Sequence, residues 1–296
     1  MKALVTGAKG MLGTDLCREL EEADYRVLAT DIQEMDVRDP QRVAQVFNEA
    51  SPDIVFHLAA LTDVDGCERE PDEAYRTNTV GTQNIALACQ AANIPIVYVS
   101  TISVFDGAKS EPYTEFDTPN PQSWYSRSKY EGEKIVQQVL RRCYIVRAGW
   151  MFGGGHEDKK FVAKMLELAA SRNELKVVND KFGSPTYTLD ISQAMIMLCR
   201  TEWYGVYHLV NTGVPCSRFE FAEHILDYAG ITTRKLLPVS SAAFPLPAPR
   251  PRMEAARNLH AELLGLNLMR PWQEALREYI IETLLPGLAT LAKNKK

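Results

Sequence analysis

The first half of the chain alternates between short apolar segments and longer segments whose apolar residues recur every three or four positions. Short apolar segments bounded by turn residues predict buried strands, and the longer spacing predicts helices. The predicted strands are Lys2–Thr6, Arg26–Thr30, Asp53–Leu58, Pro95–Ser100 and Cys143–Arg147, and the helices between them are Leu12–Ala23, Pro40–Ala50, Pro71–Ala92 and Ser123–Leu140. This alternation predicts an α/β fold with a doubly wound parallel sheet and helices on both faces.

The second half has a less regular pattern, with a glycine-rich loop at 153–155. Helices are predicted over Phe161–Ser171, Asp190–Arg200 and from about Pro271, and strands over Lys176–Val178 and Val206–Val210. The segment Phe244–Arg252 contains four prolines, which exclude a helix or a central strand. Its two arginines leave two interpretations open, a rigid linker or a loop that faces an anion.

Three glycines lie where the first strand is predicted to end and the first helix to begin. Gly7, Gly10 and Gly13 have the spacing G-x-x-G-x-x-G, a variant of the dinucleotide fingerprint. Glycine permits the tight turn, the close approach of a pyrophosphate, and close packing of helix on sheet. Met11 and Leu12 add backbone amides at the helix N-terminus, which favours phosphate binding. We therefore predict a nicotinamide-dinucleotide site here.

With this motif, the predicted fold is of the Rossmann type, and the chain is predicted to divide into two domains. A dinucleotide-binding domain is predicted for residues 1–149 together with roughly 187–212. A smaller C-terminal substrate-binding lobe is predicted for roughly 150–186 and 213–296. Ligands of such sheets bind beyond the carboxyl ends of the strands.

Two aspartates after the second predicted strand are candidates for contacts with the adenosine half of the cofactor. Asp31 is placed to accept hydrogen bonds from ribose hydroxyls, which favours NADH because a 2′-phosphate would be repelled. Lys9 in the glycine turn would partly offset that repulsion. Asp36 and Val37 are candidates for holding the adenine. Either aspartate is alternatively an ordinary loop carboxylate, and both NADH and NADPH stay open as cofactors.

Composition narrows the class of protein further. The net charge of −5 over 296 residues leaves no basic excess for nucleic acid. No apolar run has the length of a membrane helix, and the N-terminus lacks the pattern of a secretion signal. The six scattered cysteines form no C-x-x-C pair, which indicates reduced thiols and a cytoplasmic protein. The five histidines form no H-E-x-x-H pair, so no metal site is predicted.

The candidate catalytic residues are Thr101, Tyr125 and Lys129. Tyr125 and Lys129 are four residues apart on a predicted helix, so they share a face. Thr101 follows the fourth predicted strand and faces the same crevice as the cofactor. A phenol at this place can protonate the oxygen of a ketone that receives hydride, a lysine ammonium can lower the phenol pKa and bind the nicotinamide ribose, and a hydroxyl can hold the substrate oxygen.

With these motifs together, the chain resembles the extended short-chain dehydrogenase/reductases, and within them the dTDP-4-dehydrorhamnose reductases. The resemblance extends over nearly all 296 residues. Its carriers are the glycine motif, His57–Asp65, Cys67–Pro71, Ser100–Gly107, the Tyr125/Lys129 pair followed by Glu131-Gly132-Glu133, Val146–Trp150, Asp180–Thr186, Pro249-Arg250-Pro251 and Trp272–Leu276. The last four groups are more specific to the reductase branch than Y-x-x-x-K is.

The resemblance implies reduction of the C4 ketone of dTDP-4-dehydro-L-rhamnose by NADPH or NADH. It assigns Thr101, Tyr125 and Lys129 as the catalytic triad. The implied cofactor loop comprises Ala59, Ala60, Leu61 and Thr62. Thr101, Ile102 and Trp150 are implied to line the sugar pocket, and Arg250 to face the nucleotide diphosphate. A core or surface tryptophan is the alternative for Trp150.

One departure from the family pattern concerns the residues after the catalytic threonine. The family usually has Asp-Tyr there, whereas this chain has Ile102-Ser103. A different 4-keto nucleotide sugar therefore stays open as the substrate. An epimerase or dehydratase of the same superfamily is an alternative, although a dehydratase would need acidic residues beside Thr101. Another is a non-catalytic dinucleotide-binding subunit of a second enzyme, and a homodimer is open as the oligomeric state.

Overall fold

A computed structural model describes residues 1–266 and 268–286, and its main feature is a six-stranded parallel sheet. The strands lie in the order Gly205–His208, Cys143–Ala148, Ile96–Thr101, Ile54–His57, Lys2–Thr6 and Arg26–Thr30. Each neighbouring pair is parallel. The Rossmann-type α/β fold predicted from the sequence is confirmed. The chain reverses direction across the sheet at Lys2–Thr6, so the ligand crevice of such a fold opens there.

Both faces of the sheet are buried, which explains why its strands are continuous apolar runs rather than alternating ones. Along the first strand, Ala3 and Val5 pack into one apolar cluster and Leu4 packs into another on the opposite face. Leu16 and Met195 belong to the first cluster, whereas the second contains residues of other helices, such as Ile85. The sheet is thus doubly wound, with a separate core on each side.

The helices of the first half lie close to their predicted bounds. They are Met11–Glu22, Pro40–Ala50, Val64–Arg69, Pro71–Tyr75, Gly81–Ala92 and Trp124–Val139. The predicted helix Pro71–Ala92 is interrupted by a π-helical turn at Arg76–Val80. Asn78 lies in this turn, and its side chain bonds to Leu61 and Ser128 in neighbouring segments. The π-helical turn thereby directs the buried Asn78 side chain toward these segments, a placement that helical periodicity alone does not predict.

The second half adds small sheets and a further apolar core. Its strand pairs are Trp150–Phe152 with Pro185–Tyr187, and Glu174–Val178 with Lys235–Val239, while Phe182–Gly183 lies between Cys216–Ser217 and Met253–Glu254. Its helices are Phe161–Ser171, Thr188–Cys199, Arg218–Tyr228, Leu259–Leu263 and Trp272–Glu278, followed by a π-helical turn over Tyr279–Leu284. Residues 244–252 form neither helix nor strand, as the prolines predict.

Two further predictions concern the division of the chain into domains and the absence of a membrane-spanning helix. The division into a dinucleotide-binding domain and a C-terminal lobe stays a prediction, and residues 267 and 287–296 of that lobe lie outside the described residues. Across the described ranges, the longest apolar helices are still too short or too polar to cross a membrane.

Candidate functional site

The glycine turn lies at the crevice and leaves no room for side chains. Gly7 has φ of +68°, and a Cβ on it would lie 2.9 Å from the amide nitrogen of Ala59. A Cβ on Gly13 would lie 2.3 Å from the carbonyl oxygen of Gly7. Gly10 begins the helix without a side-chain cap, and the amides of Met11 and Leu12 bond to no acceptor in the described part of the chain. Free amides in a tight, side-chain-free cradle suit a pyrophosphate.

The loop after the third strand forms the other lip of this crevice, and buried polar groups fix its backbone. The Thr6 hydroxyl accepts hydrogen bonds from the amides of Leu58 and Ala59, and it lies 2.7 Å from Nδ1 of His57. The amide of Leu61 donates to Asn78 at 2.8 Å. Burial lowers the pKa of His57 to about 3, so this ring is neutral and structural. The predicted cofactor loop is therefore held rigidly, with Ala60 half-buried and Thr62 exposed.

The predicted adenosine contacts are placed in three different environments. The Asp31 carboxylate accepts from the backbone amides of Lys9 at 3.1 Å and Ile32 at 2.8 Å, which brings it to the edge of the glycine turn. Asp36 pairs with Arg38, and the hydrogen bonds between them lower the pKa of Asp36. Val37 is buried in the core, and its carbonyl accepts from Asn84. The contacts of these residues with a cofactor stay predictions.

The three predicted catalytic residues converge at the carboxyl edge of the sheet. Thr101 ends the fourth strand, and its hydroxyl lies close enough to the Tyr125 phenol to lower the phenol pKa. Ser123 caps the helix Trp124–Val139 by accepting from the amide of Ser126, and this cap presents Tyr125 in the first turn. Lys129 follows one turn later, with Nζ 4.2 Å from the centre of the Tyr98 ring. The phenol and the hydroxyl are neighbours, and the amine lies on the next turn of the same helix as the phenol.

Burial dominates the protonation of this group. It raises the pKa of Tyr125 to about 12, although the hydrogen bond with Thr101 lowers it. It lowers the pKa of Lys129 to about 7, against the opposing attraction of Glu133. The prediction that Lys129 lowers the phenol pKa when cofactor and substrate are bound stays a prediction. Tyr125 is protonated at neutral pH, which is the form a proton donor needs.

A buried ion pair anchors the catalytic helix to the sheet. Arg147 on the fifth strand donates to Glu133 from Nη2 at 2.7 Å and from Nε at 3.0 Å. The Ser100 hydroxyl, next to Thr101, donates to the same carboxylate at 2.5 Å. Because Glu133 lies one turn after Lys129, these bonds fix the position of Lys129 relative to the strand that carries Thr101. Removing one partner of such a pair would leave a buried charge.

Across the cleft, the second half of the chain contributes an aromatic residue and charged residues. Trp150 is buried, and its Nε1 donates to Glu254 at 3.1 Å. The Ser103 hydroxyl donates to the other oxygen of the same carboxylate. A Cβ on Gly183 would lie 2.2 Å from the Trp150 ring, so the missing side chain lets the indole lie against the strand. Glu254 and Gly183 thus fix the position of the Trp150 indole.

The other predicted substrate residues are already engaged with the protein. Ile102 is only 1% exposed and packs with Val104 and Met253 in an apolar cluster. Arg250 pairs with Asp65 at 3.1 Å and donates to the carbonyl of its own loop. The proline segment therefore packs against the residues that follow the cofactor loop. The contacts of Ile102 and Arg250 with substrate stay predictions.

Sequence reasoning missed Glu254 and Arg218. Glu254 is far from Ser103 in the sequence, and only the pairing of Met253–Glu254 with Phe182–Gly183 brings it to the cleft. Arg218 begins a helix whose start is visible in the sequence. Ser217 and Glu220 form a capping box, with both reciprocal bonds present. Recognising that motif would have predicted the helix Arg218–Tyr228.

No cluster of three or more histidine, cysteine, aspartate or glutamate side chains is arranged to hold a metal within the described ranges. Asp15 on the first helix is buried, and it accepts from the amide of Gly154 at 3.0 Å and from the Thr188 hydroxyl at 2.5 Å. It thereby ties the glycine loop of the second half to the first helix.

Comparisons with known proteins agree with this geometry. The family model described as the RmlD substrate binding domain matches residues 1–285. The spore coat polysaccharide biosynthesis protein SpsK of Bacillus subtilis is 40% identical over 281 residues, 95% of this chain and 97% of the relative. The dTDP-4-dehydrorhamnose reductase of Mycobacterium tuberculosis is 37% identical over 280 residues, 93% of this chain and 91% of the relative.

Among solved structures, a dTDP-4-dehydrorhamnose reductase from Bacillus anthracis in complex with NADP superimposes with a TM-score of 0.91 and 39% identity, covering 95% of this chain and 99% of that one. The family match covers nearly the whole chain, including both walls of the cleft. The chain therefore belongs to the RmlD substrate binding domain family.

Proposed function

We propose that this protein is an NADPH-dependent oxidoreductase that reduces the C4 ketone of dTDP-4-dehydro-L-rhamnose to give dTDP-L-rhamnose. The observation that carries the proposal is the position of Thr101 at the end of its strand beside the Tyr125 phenol, with Lys129 one turn later on the helix of Tyr125, at the sheet edge next to the glycine cradle. The names of the relatives from Mycobacterium tuberculosis and Bacillus anthracis, and the NADP in the latter structure, support the substrate and the cofactor.

The cofactor would be held on the first half of the chain. Its binding residues would be Gly7, Gly10, Met11, Leu12, Gly13, Asp31, Asp36, Val37, Ala59, Ala60, Leu61, Thr62, Tyr125 and Lys129. The bound nicotinamide supplies a hydride for the ketone carbon. The free amides at the start of the first helix match the pyrophosphate, and the fixed loop at Ala59–Leu61 matches the opposite side of the dinucleotide.

Proton transfer is the work of the chain's own residues. The phenol of Tyr125 donates its proton to the carbonyl oxygen as negative charge develops there. The Thr101 hydroxyl holds the same oxygen in line and also lowers the phenol pKa. Burial lowers the pKa of the Lys129 amine to about 7, so the amine is charged below that pH. The phenolate that Tyr125 becomes after donating its proton, and the ribose hydroxyls of a bound cofactor, would favour the charged form of this amine.

The sugar nucleotide would lie across the second half of the chain. Trp150 provides an apolar surface for the sugar ring, Ile102 supports the pocket from behind, and Arg250 is placed for the diphosphate once it leaves Asp65. The six free thiols fit a reducing cytoplasm as the location. A homodimer is the oligomeric state we propose, which light scattering would check.

The direct test mixes the protein with NADPH and dTDP-4-dehydro-L-rhamnose and follows the nicotinamide absorbance. We expect oxidation of NADPH, and we expect Tyr125→Phe to lower kcat by about 10²- to 10⁴-fold while NADPH still binds. Tyr228→Phe, at the opposite end of the helix that begins at Arg218, is the matched control and should retain full activity. Tight NADPH binding without oxidation, across several 4-keto sugar nucleotides, would instead favour a non-catalytic dinucleotide-binding subunit.

A further inference from the structure

The carboxylate of Glu254 lies in the sugar wall of the cleft with spare capacity to accept hydrogen bonds. One oxygen accepts from Nε1 of Trp150 at 3.1 Å, and the other accepts from the Ser103 hydroxyl. An ionised carboxylate offers about four lone-pair positions, so these two donors leave about half of them unused. The side chain is half-buried, which makes an unused acceptor costly to leave without a partner.

Ser103 links this carboxylate to the reacting group. Its amide donates to the hydroxyl of Thr101 at 3.1 Å, while its own hydroxyl donates to Glu254. Ser103 therefore bridges the Glu254 carboxylate and Thr101, the residue proposed to hold the ketone oxygen. Its negative charge also raises the pKa of Tyr125, which is consistent with a short distance between the two groups.

Arg218 completes the wall with a positive charge. Its guanidinium carbon lies 3.5 Å from the centre of the Trp150 ring, and the group makes no hydrogen bond to the described residues. Burial lowers the pKa of Arg218 to about 10, and the attraction of Glu254 opposes this change. Arg218 is therefore charged at neutral pH. The indole therefore has a carboxylate at its edge and a cation over its face.

We propose that Glu254 is a specificity-determining residue of the sugar subsite, whose carboxylate accepts a hydrogen bond from the C3 hydroxyl, next to the carbon that is reduced. This proposal rests on the proposed function. A sugar without that hydroxyl would leave the carboxylate unpaired in the closed complex, and such a mismatch is a strong basis for rejection. Trp150 supports the ring, and Arg218 lies over the face of its indole.

Equilibrium binding tests this assignment without turnover. Isothermal titration calorimetry in the presence of NADP⁺ would compare dTDP-L-rhamnose with its 3-deoxy and 2-deoxy analogues on four proteins, namely the unsubstituted chain, Glu254→Gln, Ser103→Ala and Glu262→Gln. We expect Glu254→Gln to weaken dTDP-L-rhamnose and the 2-deoxy analogue about tenfold, as loss of a charged hydrogen bond implies. The 3-deoxy analogue should bind Glu254→Gln and the unsubstituted chain equally.

The two other variants serve as controls on the fold and on charge. Ser103→Ala removes one donor to Glu254 and should weaken dTDP-L-rhamnose about threefold, with the same dependence on the C3 hydroxyl. Glu262 pairs with Arg257 at the surface, so Glu262→Gln should bind all three ligands normally.

Three outcomes would overturn the assignment. They are unchanged affinity in Glu254→Gln, an equal loss for all three ligands, and an absence of dTDP-L-rhamnose binding by the unsubstituted protein. A protein that binds with the expected dependence on the C3 hydroxyl but does not oxidise NADPH would refute the reductase and retain the sugar subsite.

Discussion

The two walls of the cleft are built from different materials. On the cofactor side, the surface is backbone, and a single added Cβ at Gly7 or Gly13 would collide with main-chain atoms. On the sugar side, the surface consists of the side chains of Trp150, Glu254 and Arg218, which contact one another. Recognition by backbone depends on one chain conformation, whereas recognition by side chains can change residue by residue. The first wall suits a constant ligand and the second a variable one.

Lys129 lies one turn after Tyr125 on the same helix, and among the substitutions that follow its replacement should have the largest effect on rate. We expect Lys129→Met to lower kcat about a hundredfold, because the phenolate of Tyr125 loses its nearby cation and the nicotinamide ribose loses a donor. Steady-state kinetics at saturating NADPH would measure this. A variant with normal kcat would remove Lys129 from the triad.

The same variant has a pH-dependent effect on stability. Burial lowers the pKa of Lys129 from 10.5 to about 7. Between these values the unfolded chain binds a proton that the folded chain does not, so the folding stability of the unsubstituted protein rises with pH relative to Lys129→Met. Below pH 7 both states bind the proton and the difference is constant. Urea unfolding of the cofactor-free proteins from pH 7 to 10 should show the stability of the unsubstituted protein rising relative to that of Lys129→Met. A constant difference in stability between the two proteins over this range would contradict the prediction.

Gly7→Ala tests the claim that backbone alone forms the cofactor wall. Gly230 has the same φ of +68° but no neighbour within 4 Å of a Cβ, so Gly230→Ala reports the conformational cost alone. We expect Gly230→Ala to cost about 1–2 kcal/mol of stability and Gly7→Ala about 1–3 kcal/mol more, with weakened NADPH binding. Urea unfolding and NADPH titration would measure both. Equal losses in the two variants would mean that the turn tolerates a side chain.

Asp31→Asn should have the smallest effect, because it changes one side chain on the backbone-built wall. Removing the negative charge should shift the preference toward NADPH over NADH by about fivefold, as roughly 1 kcal/mol of relieved repulsion implies. The ratio of kcat/KM for the two cofactors is the measurement, and Glu49→Gln on an exposed helix is the control. An unchanged ratio would place Asp31 away from the ribose.

The sequence predicts the first half well because its elements are formed by local pattern. The first strand and first helix lie within one residue of their predicted bounds, since apolar runs and periodicity specify them. The π-helical turn at Arg76–Val80 was not predictable in this way, because it depends on Asn78 bonding to Leu61 and Ser128 in other segments. Among the short paired strands of the second half, Lys176–Val178 was predicted and lies within Glu174–Val178, whereas Lys235–Val239 and Met253–Glu254 were missed, since their partners are distant in sequence.

The sequence by itself determined the glycine cradle, the parallel sheet and the spacing of Tyr125 and Lys129, because turn chemistry and helical periodicity act over a few residues. Only the tertiary structure decided the protonation of Tyr125, since burial rather than Lys129 sets its pKa. It also decided the sugar wall, where Ser103 and Glu254 meet across 151 residues of sequence. Contacts of that range depend on how the whole chain packs, and no local pattern specifies them.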